Sequence, residues 1–322
     1  MCEETSSKSL ANCRPGSAGI IAGVDARSTR RQGCRRSQGW SLNIDGRENQ
    51  TRIRPRVRPL PDKFLGAMIA VMPLPGSPRY GDNDERIVAQ ALSDLTHYQR
   101  AGVDAIILEN SHDLPYIKPP LPPRAIEVMK RVAGEIRVRF AGPIGIQMLE
   151  AANEAALEIA HETALDFLRI EGYVFAHVGG AGLIEGCAGH LLRKRRELGC
   201  EHIKVFADVK KKHCSHALTG DLDIVDEVKQ AEFFLVDGVI VTGARTTEPP
   251  DSAELRRVKQ STRVPVLIGS GITPENIKTY FPLADGFIVG STFRQAGEFL
   301  GALDPQRLNA FVRAFDYLKS DT

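Results

Sequence analysis

The sequence predicts an α/β protein whose main part is a single (β/α)8 barrel. Three observations lead to this prediction. Short apolar runs alternate with amphipathic stretches from about residue 64 onward. Eight such runs occur, and each is followed by a segment of helical periodicity. The runs are apolar on both faces, as in a buried parallel sheet, and eight strand–helix units in about 260 residues match the size of this barrel.

The eight units can be followed in order along the chain. The predicted strands are 65–72, 105–108, 144–149, 167–170, 203–207, 238–241, 264–268 and 286–289. The helices are predicted at about 82–100, 123–133, 153–164, 187–198, 222–232, 252–260, 274–281 and 305–319. The alternation implies parallel strands joined by right-handed crossovers. A doubly wound open sheet is the alternative, but the turn after the first strand lacks the Gly-x-Gly-x-x-Gly phosphate loop.

Local end signals support the helix boundaries. Asn83 and its flanking aspartates offer an N-cap for the first helix, and Gly102 lies where that helix should end. Pro123 begins the second helix at a position that tolerates proline. These signals place the loops after the strands, where barrels of this class carry their active sites.

Residues 1–60 are predicted to be a disordered basic extension, and residues 61–322 to form the barrel domain. The first sixty residues hold 12 Lys and Arg against 5 Asp and Glu, whereas the remainder hold 30 against 35. A basic arm can bind nucleic acid. We do not expect nucleic-acid binding here, because aromatic residues do not alternate with the basic ones.

The composition excludes several classes of protein. No apolar run approaches the roughly 20 residues that span a bilayer, so we expect a soluble protein without a membrane span. The six cysteines form no C-x-x-C pair, so the sequence predicts neither a metal site nor a disulfide framework. We expect a cytoplasmic protein, with a mitochondrial one as the alternative because residues 27–36 are rich in arginine. A homo-oligomer stays open.

Two glycine turns follow the last two predicted strands. A phosphate group needs several backbone N–H groups directed at one point, and glycine lets the backbone approach closely. In (β/α)8 barrels phosphate is frequently bound after these two strands. The predicted phosphate-binding residues are Gly269, Ser270, Gly271, Gly290 and Ser291.

Polar residues at the other strand ends are candidates for catalysis. Asp208 and Lys210 have the same parity on the fifth strand, so an extended strand would present them on one face. An acid beside an ammonium can exchange protons, and a lysine can form a Schiff base. Glu109 and Glu171 are the other catalytic candidates. Further candidate substrate contacts are Asn110, Gln147, Arg169, Lys212, His213 and Thr242.

The glycine-rich segment 175–189 follows the fourth strand. It reads as a lid over the site or, equally well, as a mobile connector.

Several segments in fixed order resemble the BtpA family over roughly residues 64–320. They are MIAVMPLPGSPRYGD (68–82), GVDAIILEN (102–110), LLRKRRELG (191–199), VFADVKKKHCSHALT (205–219), DGVIVTGARTTEPPD (237–251) and VPVLIGSGITPENI (264–277). The resemblance implies a barrel of the ribulose-phosphate-binding superfamily. The family takes its name from a cyanobacterial factor needed for photosystem I, but the segments of this chain are more similar to the eukaryotic branch.

Two departures from the family pattern are visible. The family commonly has histidine at the end of the first strand, where this chain has Ala70, and often glycine where it has Thr247. A left-handed turn at residue 247 would be costlier with threonine than with glycine.

Two functions therefore stay open. One is an enzyme that binds a small phosphorylated ligand, such as a sugar or nucleoside phosphate, by lyase, isomerase or hydrolase chemistry and without a cofactor. The other is a non-enzymatic assembly or stability factor.

Overall fold

The structure is a computed structural model that describes residues 58–321, and within them it confirms the predicted barrel. Strands and helices follow each other as β1 (Phe64–Ala70), α1 (Asp84–Ala101), β2 (Ala105–Glu109), α2 (Pro123–Arg139), β3 (Ile144–Gln147), α3 (Asn153–Glu162), β4 (Phe167–Ile170), β5 (His177–Gly179), β6 (Gly182–Ile184), α4 (Ala188–Glu197), β7 (Lys204–Val209), α5 (Ile224–Phe233), β8 (Gly238–Val241), α6 (Ser252–Ser261), β9 (Val266–Ile268), α7 (Ile277–Tyr280), β10 (Gly286–Val289) and α8 (Pro305–Ser320). The predicted disordered extension lies almost wholly outside the described residues.

Eight of these strands close into a parallel barrel in the order β1-β10-β9-β8-β7-β4-β3-β2. Closure excludes the doubly wound open sheet. The register brings the ends of neighbouring strands level: Ala70 lies opposite Glu109, and Glu109 opposite Gln147. The carboxyl ends of the strands therefore form one rim.

Helix boundaries follow the end signals where those signals are strong. The Asn83 side chain accepts a hydrogen bond of 3.0 Å from the backbone N–H of Arg86, and Gly102 ends α1 with a φ of 82°. Helix α2 runs on to Arg139 instead of ending near residue 133, because Ile136 continues the buried face. Within the described part of the chain no helix is both long and apolar enough to span a membrane.

Aromatic rings fill the amino-terminal half of the barrel interior. Phe167 and Phe206 point inward, and their ring centroids lie 5.7 Å apart, edge to face. Each ring occupies space left by a glycine on the neighbouring strand. A Cβ at Gly145 would lie 2.1 Å from the ring of Phe167, and one at Gly238 would lie 2.5 Å from that of Phe206. Leu60, which precedes β1, packs against this inner cluster.

The remaining core lies between the strands and the helices. Alternate strand residues, such as Leu108, Ile146 and Ile170, face outward into this shell. Their neighbours in the sequence face the barrel interior, as the pleat requires. The inward residues at the carboxyl ends of the strands are therefore the polar ones.

Segment 175–189 contains a hairpin outside the barrel. Strands β5 and β6 pair in antiparallel fashion around a glycine turn, in which Gly182 has a φ of 103°. Val178 and Ser215 then exchange two backbone hydrogen bonds, of 3.0 and 2.8 Å. The segment is thus tied to the loop after β7.

Candidate functional site

Polar side chains project into the barrel at the carboxyl ends of its strands. The inward-facing residues at these strand ends are Glu109 on β2, Gln147 on β3, Arg169 on β4 and Asp208 on β7. All four are at most 7 % exposed. A polar group at such a site must be paired within the protein or by a ligand.

Arg169 and Asp208 form a buried two-point ion pair across adjacent strands. The Nε and Nη2 atoms of Arg169 each lie 3.0 Å from a carboxylate oxygen of Asp208. Both Asp208 oxygens are therefore engaged. The arrangement suits a fixed cation held by its counter-ion better than it suits a carboxylate that exchanges protons with a substrate.

The lysines after β7 separate into three environments. Strand β7 ends at Val209, and Lys210 has a φ of 44°, so the alternation of faces stops there. The Lys210 ammonium lies 3.2 Å from the carbonyl oxygen of Thr219 and does not line the cleft beside Asp208. The expectation that Lys210 shares the inward face with Asp208 is not met. Lys212 lines that cleft instead.

Lys211 lies between two buried carboxylates. Its ammonium is 3.0 Å from Oε1 of Glu171 and 3.2 Å from Oε1 of Glu150. Glu171 also accepts hydrogen bonds from the Gln147 amide (3.1 Å) and from the backbone N–H of Ala151 (2.9 Å). This places Glu171 and Gln147 together, as the sequence suggested, but around a lysine and a glutamate that the sequence analysis did not assign to the site.

Burial controls the titration of this cluster. It raises the pKa of Glu171 to about 7, and Lys211 only partly opposes that rise. Burial would by itself lower the pKa of Lys211, but the charges of Glu171 and Glu150 outweigh it, so the pKa rises.

The two glycine turns lie side by side in one cleft. All five predicted phosphate-binding residues line it, together with Glu109, Arg169, Lys212 and Thr246. Among residues 58–321, no hydrogen bond is found from the backbone N–H groups of Ser270, Gly271, Gly290 or Ser291. The empty volume is ≈ 440 Å³ including the open mouth. The cavity volume by itself is ≈ 40 Å³, which suits one end of a small ligand.

The surroundings of the glycines in these turns differ, and so does the need for glycine at each position. Gly271 has a φ of 70°, and a Cβ there would lie 2.1 Å from the backbone nitrogen of Pro249. A Cβ at Gly269 would lie 3.1 Å from Nη2 of Arg169. A Cβ at Gly290 would lie 3.3 Å from the Met68 side chain, its closest contact. The chain packing therefore requires Gly271, whereas Gly290 leaves the cleft open.

Two further candidates have structural roles in the loops. The Asn110 side chain binds both the backbone N–H of Leu149 (2.7 Å) and its carbonyl oxygen (3.1 Å). His213 has its Nε2 2.8 Å from the Thr246 hydroxyl. Both positions fix loops at the rim.

Two buried polar atoms at the rim lack a hydrogen-bond partner within the described residues. They are the Thr242 hydroxyl and Oε1 of Gln147. An unpaired buried acceptor or hydroxyl is costly unless a ligand or water satisfies it. In the same part of the chain no three His, Cys, Asp or Glu side chains are grouped to hold a metal ion.

The two residues that depart from the family pattern can also be located in the structure. Ala70 lies opposite Glu109 at the rim, so the missing histidine leaves that carboxylate with Ser111, whose hydroxyl donates a hydrogen bond of 2.7 Å. Thr247 has a φ of 73°, which confirms the costly left-handed turn.

Comparisons with known proteins agree on the family and the fold. The profile of the BtpA family matches residues 62–317. An uncharacterized mitochondrial protein of Caenorhabditis elegans is 42% identical over 257 residues, which cover 78% of this chain and 92% of the relative. The photosystem I biogenesis protein BtpA of Synechocystis is 33% identical, covering 77% of this chain and 86% of the relative.

Several solved structures resemble this chain over most of its length. One is N-(5'-phosphoribosyl)anthranilate isomerase from Pyrococcus furiosus, with a TM-score of 0.50 and 13% identity, covering 79% of this chain and 99% of the other. At this identity the likeness concerns the fold.

Proposed function

The chain belongs to the BtpA family, and from this premise we propose that it is an enzyme that binds a small phosphorylated metabolite at the carboxyl-end rim of its barrel. The ligand class is a sugar phosphate or nucleoside phosphate. Lyase, isomerase and hydrolase chemistry all suit the residues of the cleft.

One observation carries the proposal. Two glycine turns line one cleft, and within residues 58–321 four of their backbone N–H groups make no hydrogen bond and the ammonium of Lys212 in the same cleft has no partner. Convergent N–H groups are the usual means by which backbone binds phosphate. Lys212 and Arg169 would add positive charge near the same anion. The phosphoribosyl group in the name of the Pyrococcus isomerase is consistent with a ligand of this class.

The remaining residues have separate roles. Glu109 lines the cleft and is the candidate acid or base. Asp208 holds Arg169 in place and acts on the ligand through it. Glu171 is a second candidate acid or base, since a carboxyl whose pKa lies near 7 can both give and take a proton at neutral pH. No role in binding the ligand is assigned to Lys210.

The test is thermal stabilisation by phosphorylated metabolites. We expect ribose 5-phosphate or a nucleoside monophosphate to raise the melting temperature, and Gly290→Asp to abolish that rise by placing a carboxylate beside the bound phosphate. Gly81→Asp is the matched control, because a Cβ there meets nothing within 4 Å. No stabilisation by any phosphorylated compound, or an equal effect in both variants, would overturn the proposal.

A second candidate function, an assembly or stability factor, has an observation of its own. Phe233, Phe234 and Leu235 end α5 and are 77 %, 40 % and 71 % exposed. None of the three lines the cleft. Exposed apolar clusters mark protein-binding surfaces, and the Synechocystis relative is named for photosystem I biogenesis.

The two functions make different predictions for capture experiments. An assembly factor would retain one stoichiometric protein partner, lose it in Phe233→Ser/Leu235→Ser, and keep it in Lys212→Ala. Retention of no partner by the full chain would remove this candidate.

For the compartment, the name of the worm relative favours the mitochondrial alternative over the cytoplasmic one. A carboxyl-terminally tagged full chain that colocalises with a mitochondrial marker would support it, and diffuse cytoplasmic signal would contradict it.

A further inference from the structure

We propose that Lys212 is the nucleophile of this site and that its substrate is a phosphorylated aldehyde or ketone, which Lys212 holds as a Schiff base. The inference deepens the proposed function and rests on it. It names the carbonyl group that the phosphate proposal leaves open.

The first support is the position of Lys212 relative to its neighbours in the sequence. Lys210 is hydrogen-bonded to Thr219, and Lys211 is bound by Glu150 and Glu171. Lys212 makes no hydrogen bond or ion pair with any described residue, although it is half-buried and lines the phosphate cleft. Of these three lysines, it is the one whose nitrogen is free to react.

The second support is the electrostatic environment of that nitrogen. Burial, followed by the charge of Arg169, lowers the pKa of Lys212 to about 8. Glu109 and Asp208 oppose this shift without cancelling it. At pH 7 a pKa of 8 leaves about one amine in ten unprotonated, whereas an ordinary lysine leaves about one in several thousand. A free amine is the form that attacks a carbonyl.

The third support is that the backbone around Lys212 is fixed. The His213 backbone N–H donates to the carbonyl oxygen of Ala244 (3.3 Å), and the His213 ring lies 2.8 Å from the Thr246 hydroxyl. Ser215 is tied to Val178 of the hairpin. The contacts on one side of Lys212 therefore join it to the loop after β8, which lies next to the glycine turn after β9. This limits where the amine can reach.

The step is a condensation in which no atom is oxidised or reduced. The lone pair of Nζ forms a C–N bond to the carbonyl carbon while the C=O π electrons move to oxygen, which takes a proton. The resulting carbinolamine loses its hydroxyl as water, and the C=N bond forms. Glu109 lines the same cleft and is placed to shuttle the proton that leaves nitrogen to the departing hydroxyl.

The experiment uses two aldehydes that differ only in phosphate. Pyridoxal 5'-phosphate and pyridoxal are each incubated with the full chain, reduced with borohydride, and the modified lysine is identified by mass spectrometry. We expect the phosphorylated aldehyde to label Lys212 at least tenfold faster than pyridoxal, and inorganic phosphate to compete. The labelling rate should rise toward a midpoint near pH 8.

Two variants make the assignment specific. Lys212→Arg should lose the adduct at this site and keep the wild-type melting temperature, since Lys212 has no partner to lose among residues 58–321. Lys229→Arg, at an exposed position on α5, should label like the wild type.

The outcomes separate this inference from the proposed function. Equal labelling of Lys212 by both aldehydes, without competition by phosphate, would support the nucleophile and overturn phosphate binding in this cleft. Adducts scattered over exposed lysines, or an adduct on Lys210 that survives Lys212→Arg, would overturn the nucleophile. Phosphate binding would then still be decided by the melting experiment with Gly290→Asp.

Discussion

Asp208 shows how one residue changes its meaning between sequence and structure. In the sequence it is an acid at a strand end, with a lysine two residues later. In the structure both of its oxygens bind Arg169, and that lysine faces away. A buried guanidinium needs such a counter-ion, because a charge without a partner in the barrel interior is strongly destabilising.

Asp208→Ala should therefore reduce the free energy of unfolding by about 3–5 kcal/mol, since it leaves Arg169 buried and unpaired. Urea denaturation monitored by circular dichroism measures this. Glu85→Ala, which removes an exposed partner of Arg131, is the control and should cost much less. Equal losses in the two variants would show that the Arg169 pair is not energetically distinct.

Glu171 should make stability depend on pH in a defined direction. Its pKa is about 7 in the folded chain and near 4.5 when exposed, so the native state holds the extra proton between these values. The wild type should consequently lose stability relative to Glu171→Gln as pH rises from about 5 to 7, by about 1 kcal/mol per pH unit, and the difference should level off above pH 7.

Paired unfolding curves of the two proteins at several pH values measure that difference. His177, whose pKa burial lowers to about 4, contributes to both proteins and cancels. A difference that is constant from pH 5 to pH 7 would contradict the prediction.

At the scale of elements, helix and strand boundaries could be predicted where the sequence carries a capping residue or another end signal. Asn83 and Gly102 mark the limits of α1 by their chemistry, so that helix was predicted closely. Lys210 and Lys212 could not be told apart, because the alternation of faces holds only while the strand continues. The strand ends at Val209, and the positive φ of Lys210 breaks the alternation there. Lys212 therefore lines the cleft, and Lys210 does not.

Glycines were the second difficulty. Helix α2 was predicted to end near residue 133, directly before Gly134, but the cost of an internal helical glycine, about 1 kcal/mol, is smaller than the gain from burying Ile136 in the next turn. At residues 179–182 a glycine-rich stretch, which the sequence suggested to be part of a loop, forms the turn of the β5–β6 hairpin.

The two glycine turns should respond differently to the same substitution. Gly271→Ala forces a Cβ into the backbone of residues 248 and 249 and into a left-handed φ, so it should lower the free energy of unfolding by about 1–3 kcal/mol or more. Gly290→Ala should cost less than about 1 kcal/mol, because its tightest contact, the Met68 Cβ at 3.3 Å, requires a shift of only a few tenths of an ångström. Chemical denaturation of both variants measures this, and the opposite ranking would contradict the packing described for the turns.

On the scale of the whole molecule, the sequence was sufficient for the barrel and insufficient for the site. Eight apolar runs with helices between them leave few folds that bury every run. The inner packing, in which a phenylalanine fills the space beside a glycine of the neighbouring strand, cannot be seen until the strands are in register. The same holds for the union of Arg169 with Asp208 and of Lys211 with Glu150.

The amino-terminal boundary of the barrel can be tested by truncation. The predicted boundary at residue 61 removes Arg58, whose guanidinium lies 3.4 Å from Asp166, and Leu60, which packs on the inner cluster. We expect a chain that begins at residue 58 to melt several degrees above one that begins at residue 61. The shorter chain loses about 1–2 kcal/mol of stabilisation from apolar burial. Differential scanning calorimetry measures both, and identical melting temperatures would place the boundary at 61.

The phenylalanine-filled floor of the barrel has a kinetic consequence. A passage through the centre is closed, so whatever reaches the rim from solvent must leave by the route it came in. If the cleft is catalytic as proposed, a departing product and an arriving substrate exclude each other, and reaction progress curves should show competitive inhibition by product.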